Sequence, residues 1–161
     1  MKKSNIILAL VLIAFVVCVV VVLAFRLNAD KKEANVNIDL TALNERINTE
    51  TNFSEMTMQD LDKESLSSLF GIETDKVEEV IGKIPLINVH ANMYVVVKAT
   101  EGNAEYVREK LEEYGTLYEQ NWEKYLPEQY ELVKQRKIGV QGNYVYFVVS
   151  DMANEIVKMM E

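Results

Sequence analysis

Apolar and polar positions divide this chain into three stretches. The first is an unbroken apolar run of twenty residues, Ile6–Phe25, whose one polar side-chain group is the thiol of Cys18. As a helix rising about 1.5 Å per residue it spans about 30 Å, the hydrocarbon thickness of a bilayer. The second, RLNADKKEANV from Arg26 to Val36, is polar and charged and reads as a short stalk. From there on, apolar residues recur at the spacings of helices and strands. The expected organisation is a membrane anchor over residues 1–26, a stalk over 27–36 and a folded domain over 37–161.

Within the domain, Leu40, Leu43 and Ile47 fall at helical spacing after Asp39 and predict a helix to about Thr49. Asn52-Phe53-Ser54 reads as a loop. Asp62 is a candidate cap for a second short helix with Leu66, Leu69 and Phe70 inward and Gly71 as its stop. Thr74 or Asp75 would start a third, carrying Val77, Val80 and Ile81 and ending before Gly82 and Pro85. Met93–Ala99 (MYVVVKA) is rich in β-branched and aromatic residues and predicts a strand. A turn at Glu101-Gly102-Asn103 leads into a long helix over Ala104–Tyr125, with a possible bend at Gly115, since Gly is a poor helix former. Pro127 suits the first turn of a helix to about Lys134. Lys137–Val140 and Tyr144–Val149, joined at Gln141-Gly142-Asn143, predict a hairpin. Ser150 or Asp151 caps a last helix with Ile156, Val157 and Met160 inward. The order, helices and then β-α-α-β-β-α, implies an α+β domain: a small antiparallel or mixed sheet packed by helices.

Alternation divides the two best strands between faces. Met93, Val95, Val97 and Ala99 share one side, as do Val145, Phe147 and Val149; this is a core face for the long helix and the last helix. Tyr94, Val96 and Lys98 share the other, with Tyr144, Tyr146 and Val148. Either the early helices cover that tyrosine-bearing face or it is partly open.

The apolar run has three readings. A cleaved secretory signal fits Lys2 and Lys3, but the run exceeds the usual signal core and lacks a good small-residue exit. A lipoprotein signal would place Cys18 after small residues, whereas Phe15-Val16-Val17 precedes it. An uncleaved anchor fits the length and is the favoured reading. Lys and Arg counts near the two ends are nearly balanced, so orientation rests on the ease with which long domains cross. The N-terminus is expected inside and the domain outside the cytoplasm.

Charge narrows the partners. The whole chain carries −8, and all 25 acidic residues lie beyond Arg26, against 14 of the 17 basic ones, so that part carries −11. Such a domain repels nucleic acid and anionic head groups. Cys18 is the single cysteine, which leaves the domain without a disulfide, a cysteine nucleophile or a Cys-based zinc site.

The segments YLPEQYELV (Tyr125–Val133) and GNYVYFVVSDMANEIV (Gly142–Val157) resemble the bacterial domain-of-unknown-function family numbered 4358; Met93–Tyr125 fits its pattern more loosely. The resemblance spans roughly residues 35–161. It implies a small exported protein of Gram-positive bacteria, held by a lipoprotein signal or a membrane segment, and Cys18 departs from the lipoprotein form. It assigns no activity. Tyr125, Pro127, Gly142, Asn143, Tyr144 and Asp151 carry over as structural markers only.

The chain offers few residues that carry chemistry. His90 is the single histidine, and no Gly-x-Ser-x-Gly elbow accompanies it; an ordinary loop histidine is expected. Asp60, Asp62 and Glu64 open like a calcium loop, but Ser65 and Gly71 stand where Gly and Glu are required. The glycines form no phosphate loop. No cofactor and no metal is implied. Tyrosines remain: Tyr94, Tyr144 and Tyr146 either line a half-buried sheet face or form a platform for a partner. The expected function is a non-enzymatic, membrane-anchored binding or accessory module of the cell envelope. Its contacts are the bilayer through Ile6–Phe25 and an envelope protein or peptide. The alternative is an envelope hydrolase using acids from Asp60–Glu79.

Overall fold

The two stretches richest in β-branched residues pair at the middle of the sheet. The structure is a computed structural model that describes residues 36–161. The expected anchor and nearly all of the stalk lie outside those residues. Strands β1 (Met58–Asp60), β2 (Val77–Pro85), β3 (Met93–Ala99), β4 (Lys137–Gln141) and β5 (Tyr144–Val149) form one sheet in the order β1-β2-β3-β5-β4, antiparallel throughout. Helices α1 (Leu40–Glu50), α2 (Lys63–Phe70), α3 (Ala104–Trp122), α4 (Pro127–Lys134) and α5 (Ala153–Lys158) pack on it, giving an α+β fold. Among the described residues no helix is long and apolar enough to cross a membrane.

Local chemistry sets the boundaries. The Asp39 side chain accepts from the Ala42 N–H at 3.0 Å, and Asp62 accepts from Ser65 N–H at 2.7 Å, so each caps a helix start. The β4–β5 hairpin turns on Gly142-Asn143, with Gly142 at φ 60°, the positive value that a two-residue turn with Gly first requires. Ser150 Oγ accepts from Met152 N–H at 3.0 Å, but the cap position of α5 is Met152, which makes no side-chain capping bond, rather than the expected Ser150 or Asp151. The long helix runs unbroken through Gly115 and stops at Trp122 rather than Tyr125. Arg136 and Phe147 pack so closely on Gly115 that a Cβ there would meet Arg136 Nε at 2.8 Å.

Both sheet faces are covered, and two apolar cores result. One holds Val95, Val97, Val145 and Phe147 beneath Leu66 and Phe70 of α2, Val107 and Leu111 of α3, and Val133 of α4. The other holds Tyr94, Val96, Tyr144 and Val148 beneath Leu40, Leu43 and Ile47 of α1, Phe53, and Ala153 and Ile156 of α5.

Three further expectations are corrected, and one strand is new. The third early helix is strand β2, in which a bulge between Val77 and Glu79 shifts the register and places Val77, Val80 and Ile81 at a spacing that mimics a helix. The short strand β1 carries no alternation and escapes notice in the sequence. Leu69 is exposed, because a two-turn helix buries only Leu66 and Phe70, four positions apart. The last helix covers the tyrosine face, not the face that holds the long helix.

Candidate functional site

The tyrosine face is interior. Tyr94 and Tyr144 are 0% and 1% exposed, so these two rings are core and not an open platform. Tyr94 donates its hydroxyl hydrogen to Asn44 Oδ1 at 2.6 Å and accepts from Asn48 Nδ2 at 3.3 Å, which seats α1 on β3. Its ring meets Phe53 edge-on, centroids 4.9 Å apart. Burial pushes its pKa up to about 12, only partly offset by the Asn48 hydrogen bond, while the charge of Asp60 adds to the rise. The Tyr144 hydroxyl accepts from the Ile38 N–H and donates to the Ile38 carbonyl, both at 3.1 Å. Tyr146 is half-buried across from Gly139 on edge strand β4, its ring filling the space where a Cβ would stand.

The acids between Asp60 and Glu79 are dispersed over β1, α2, β2 and the segments that join them. Asp60 pairs with Lys83 at 2.7 Å, Asp75 with Lys76 at 3.3 Å and Glu78 with Lys98 at 2.7 Å, while Asp62 caps α2. The Ser65 hydrogen bonds hold the Asp62 carboxyl below its ordinary value. Among the described residues, no group of three or more His, Cys, Asp or Glu is placed to hold a metal ion.

The most distinctive surface lies at one end of the sheet. Between β2 and β3 the chain reads Leu86-Ile87-Asn88-Val89-His90. Leu86, Ile87 and Val89 are 56%, 47% and 46% exposed, and His90 is exposed beside them. Val89 lines a groove of about 360 Å3 together with Leu126, Pro127, Glu128 and Gln129 of the α3–α4 corner. Tyr125, 56% exposed, precedes Leu126 on that corner and packs on Trp122 at 5.6 Å between centroids. Both polar groups of the Ala91 backbone hold the loop in place: its N–H donates to Gln129 Oε1 at 2.7 Å and its carbonyl accepts from the Tyr118 hydroxyl at 3.1 Å. A rigid chain of rings, Phe70, Tyr114, Tyr118 and Trp122, supports the corner from below. Burial pushes the Tyr118 hydroxyl up to about 12, partly offset by the Trp122 side chain, and pushes the Tyr114 hydroxyl higher still.

Compared with known families, the chain matches the one described as Domain of unknown function (DUF4358) over residues 50–150. It belongs to that family. The DUF4358 match takes in all five strands and α2, α3 and α4, including the exposed loop and its groove, whereas α5 and all of α1 but Glu50 lie beyond it. No curated protein and no solved structure matches the chain.

The sequence pattern alone passes over this loop, presenting it as a connection that bears His90. Its real signal is three large aliphatic residues in the five that follow Pro85. Loops are ordinarily polar, so aliphatic residues there mark either a buried strap or a contact surface, and exposure selects the second.

Proposed function

We propose that this DUF4358 protein is a single-pass, membrane-anchored module of the bacterial cell envelope that works outside the cytoplasm by binding a protein partner rather than by catalysis. The observation that carries the binding reading is the exposed Leu86–Val89 loop, tied down at Ala91 beside an open groove. Exposing such residues to water costs solubility, and a surface that retains them is suited to burial against a partner. A fixed groove also limits the ordering cost of association. The anchor rests on the length and purity of the Ile6–Phe25 run. Of the acids of Asp60–Glu79, Asp62 caps α2 and Asp60, Asp75 and Glu78 lie in surface ion pairs, and none of the seven lines the groove, so nothing there favours the hydrolase reading.

A photoreactive amino acid in place of Val89, in otherwise unmodified cells, tests this. Irradiation should yield one discrete adduct, and protease added to intact cells should remove the domain. A domain cut only after lysis, or irradiation that leaves the protein without adducts, would overturn the proposal.

A further inference from the structure

The α3–α4 corner carries two recesses with different linings. The apolar groove beneath Val89 has Glu128 on its rim. A second recess of about 210 Å3 is lined by Thr116, Glu119, Gln120, Glu123 and Tyr130, residues of α3 and α4 together with the start of the turn between them. Glu119 is already neutralised by Arg136 at 2.5 Å. Among the described residues, no ion pair engages Glu123 or Glu128. Lys124 is exposed on the same turn but lines neither recess. An apolar slot thus adjoins uncompensated carboxylates, on a domain whose residues 36–161 carry 12 basic against 23 acidic side chains, or −11.

We infer that the corner captures an extended protein segment in which one or two large aliphatic or aromatic side chains stand within a few residues of Lys or Arg. This rests on the binding reading above and adds the chemistry of the partner. The apolar side chain enters the groove against Val89, Leu126 and Pro127, and the cation lies toward Glu123 and Glu128. Complementary charge speeds encounter and rejects acidic competitors.

Two other occupants fit less well. Anionic lipid is repelled by a −11 domain. The corner also lies at the far end of the sheet from Ile38, where the described chain enters. Ile38 sits at Tyr144, which pairs with Lys98, whereas the loop leads into Met93, which pairs with Val149. The seven residues of β3 separate these ends by about 20 Å. A second copy of the domain brings another −11 to the interface.

The test uses the full chain in phosphatidylcholine nanodiscs and phage-displayed random dodecapeptides, counter-selected on empty nanodiscs. Selected peptides should combine Leu, Ile or Phe with a nearby Lys or Arg. The best synthetic peptide should lose affinity by about tenfold with Val89→Asp, again with Glu123→Lys plus Glu128→Lys, and on raising salt from about 0.05 to 0.3 M. Circular dichroism melts establish that each variant is folded, and Ile87→Ser on the exposed loop replaces Val89→Asp if that variant is not. Acidic or uncharged consensus peptides overturn the inference while leaving the in-cell adduct at Val89 intact. Peptides that bind the charge-reversed variant as well as the parent also overturn it, as does recruitment of phosphatidylglycerol vesicles through the loop.

Discussion

At the scale of the residue, the tyrosines hold this domain together by their hydroxyls as much as by their rings. Tyr94 ties Asn44 and Asn48 of α1 to β3, and Tyr144 ties Ile38 to β5. Removing a hydroxyl leaves partly buried polar partners unmatched, so Tyr94→Phe and Tyr144→Phe should each cost about 1–2 kcal/mol in urea unfolding. The same burial makes stability depend on alkali. Tyr94 and Tyr118 titrate near 12 in the folded protein and near 10 when unfolded, so their contribution is whole below pH 10 and is lost as pH climbs through about 12. Melting temperature should therefore fall between pH 10 and 12, and Tyr94→Phe should flatten that fall; an unchanged slope would exclude the assignment. His90 is exposed, and His90→Ala should leave the melting temperature unaltered. The two faces of alternating residues are legible in the amino-acid sequence. Which face is closed is not, because nothing in the pattern of Tyr94 and Tyr144 distinguishes a ring under a helix from a ring under water.

At the scale of the element, glycines mark where the backbones of neighbouring strands crowd. A Cβ on Gly82 would stand 2.6 Å from the Tyr94 carbonyl oxygen and 3.3 Å from Val95 Cα, both backbone atoms of the central strand. The atoms nearest to a Cβ on Gly139 would be those of the outer part of the Tyr146 ring, which is half-buried and can swing aside. Gly82→Ala should thus destabilise by about 1–3 kcal/mol, as overpacking does, and Gly139→Ala by clearly less; thermal melts of the two variants make the comparison. Gly82 also explains a misreading. In the sequence, Gly82 and Pro85 look like helix stops after Val77, Val80 and Ile81. In the fold, Gly82 admits β3, Pro85 is the last residue of β2, and the bulge at Val77/Glu79 breaks the two-residue period by which a strand is recognised. The strands β3 and β5 and the helices α3 and α4 keep clean periods, and these are legible to within a few residues. The exposed loop has no period at all, which is why the candidate site emerges only once the chain is folded.

At the scale of the whole molecule, two cores share one sheet and differ in what closes them. The first is closed by helices inside the range matched by the DUF4358 family, the second by α1 and α5, which lie almost wholly outside it. A chain beginning at Val36 retains both closures and should be soluble and monomeric and melt in one transition. A chain beginning at Asn52 uncovers much of the face of Tyr94, Val96, Tyr144 and Val148, and should lose that cooperative melt and aggregate. Equal behaviour of the two in light scattering and calorimetry would show that α1 is dispensable. The net charge of −11 over residues 36–161 favours solubility for the longer of the two.

The clasp of one phenol on both sides of the Ile38 peptide has a mechanical consequence. Val36 and Ile38 both pack on the second core ahead of α1, so a pull on the backbone at Val36 loads that core, and the phenol passes part of the load into β5, an inner strand with partners on either side.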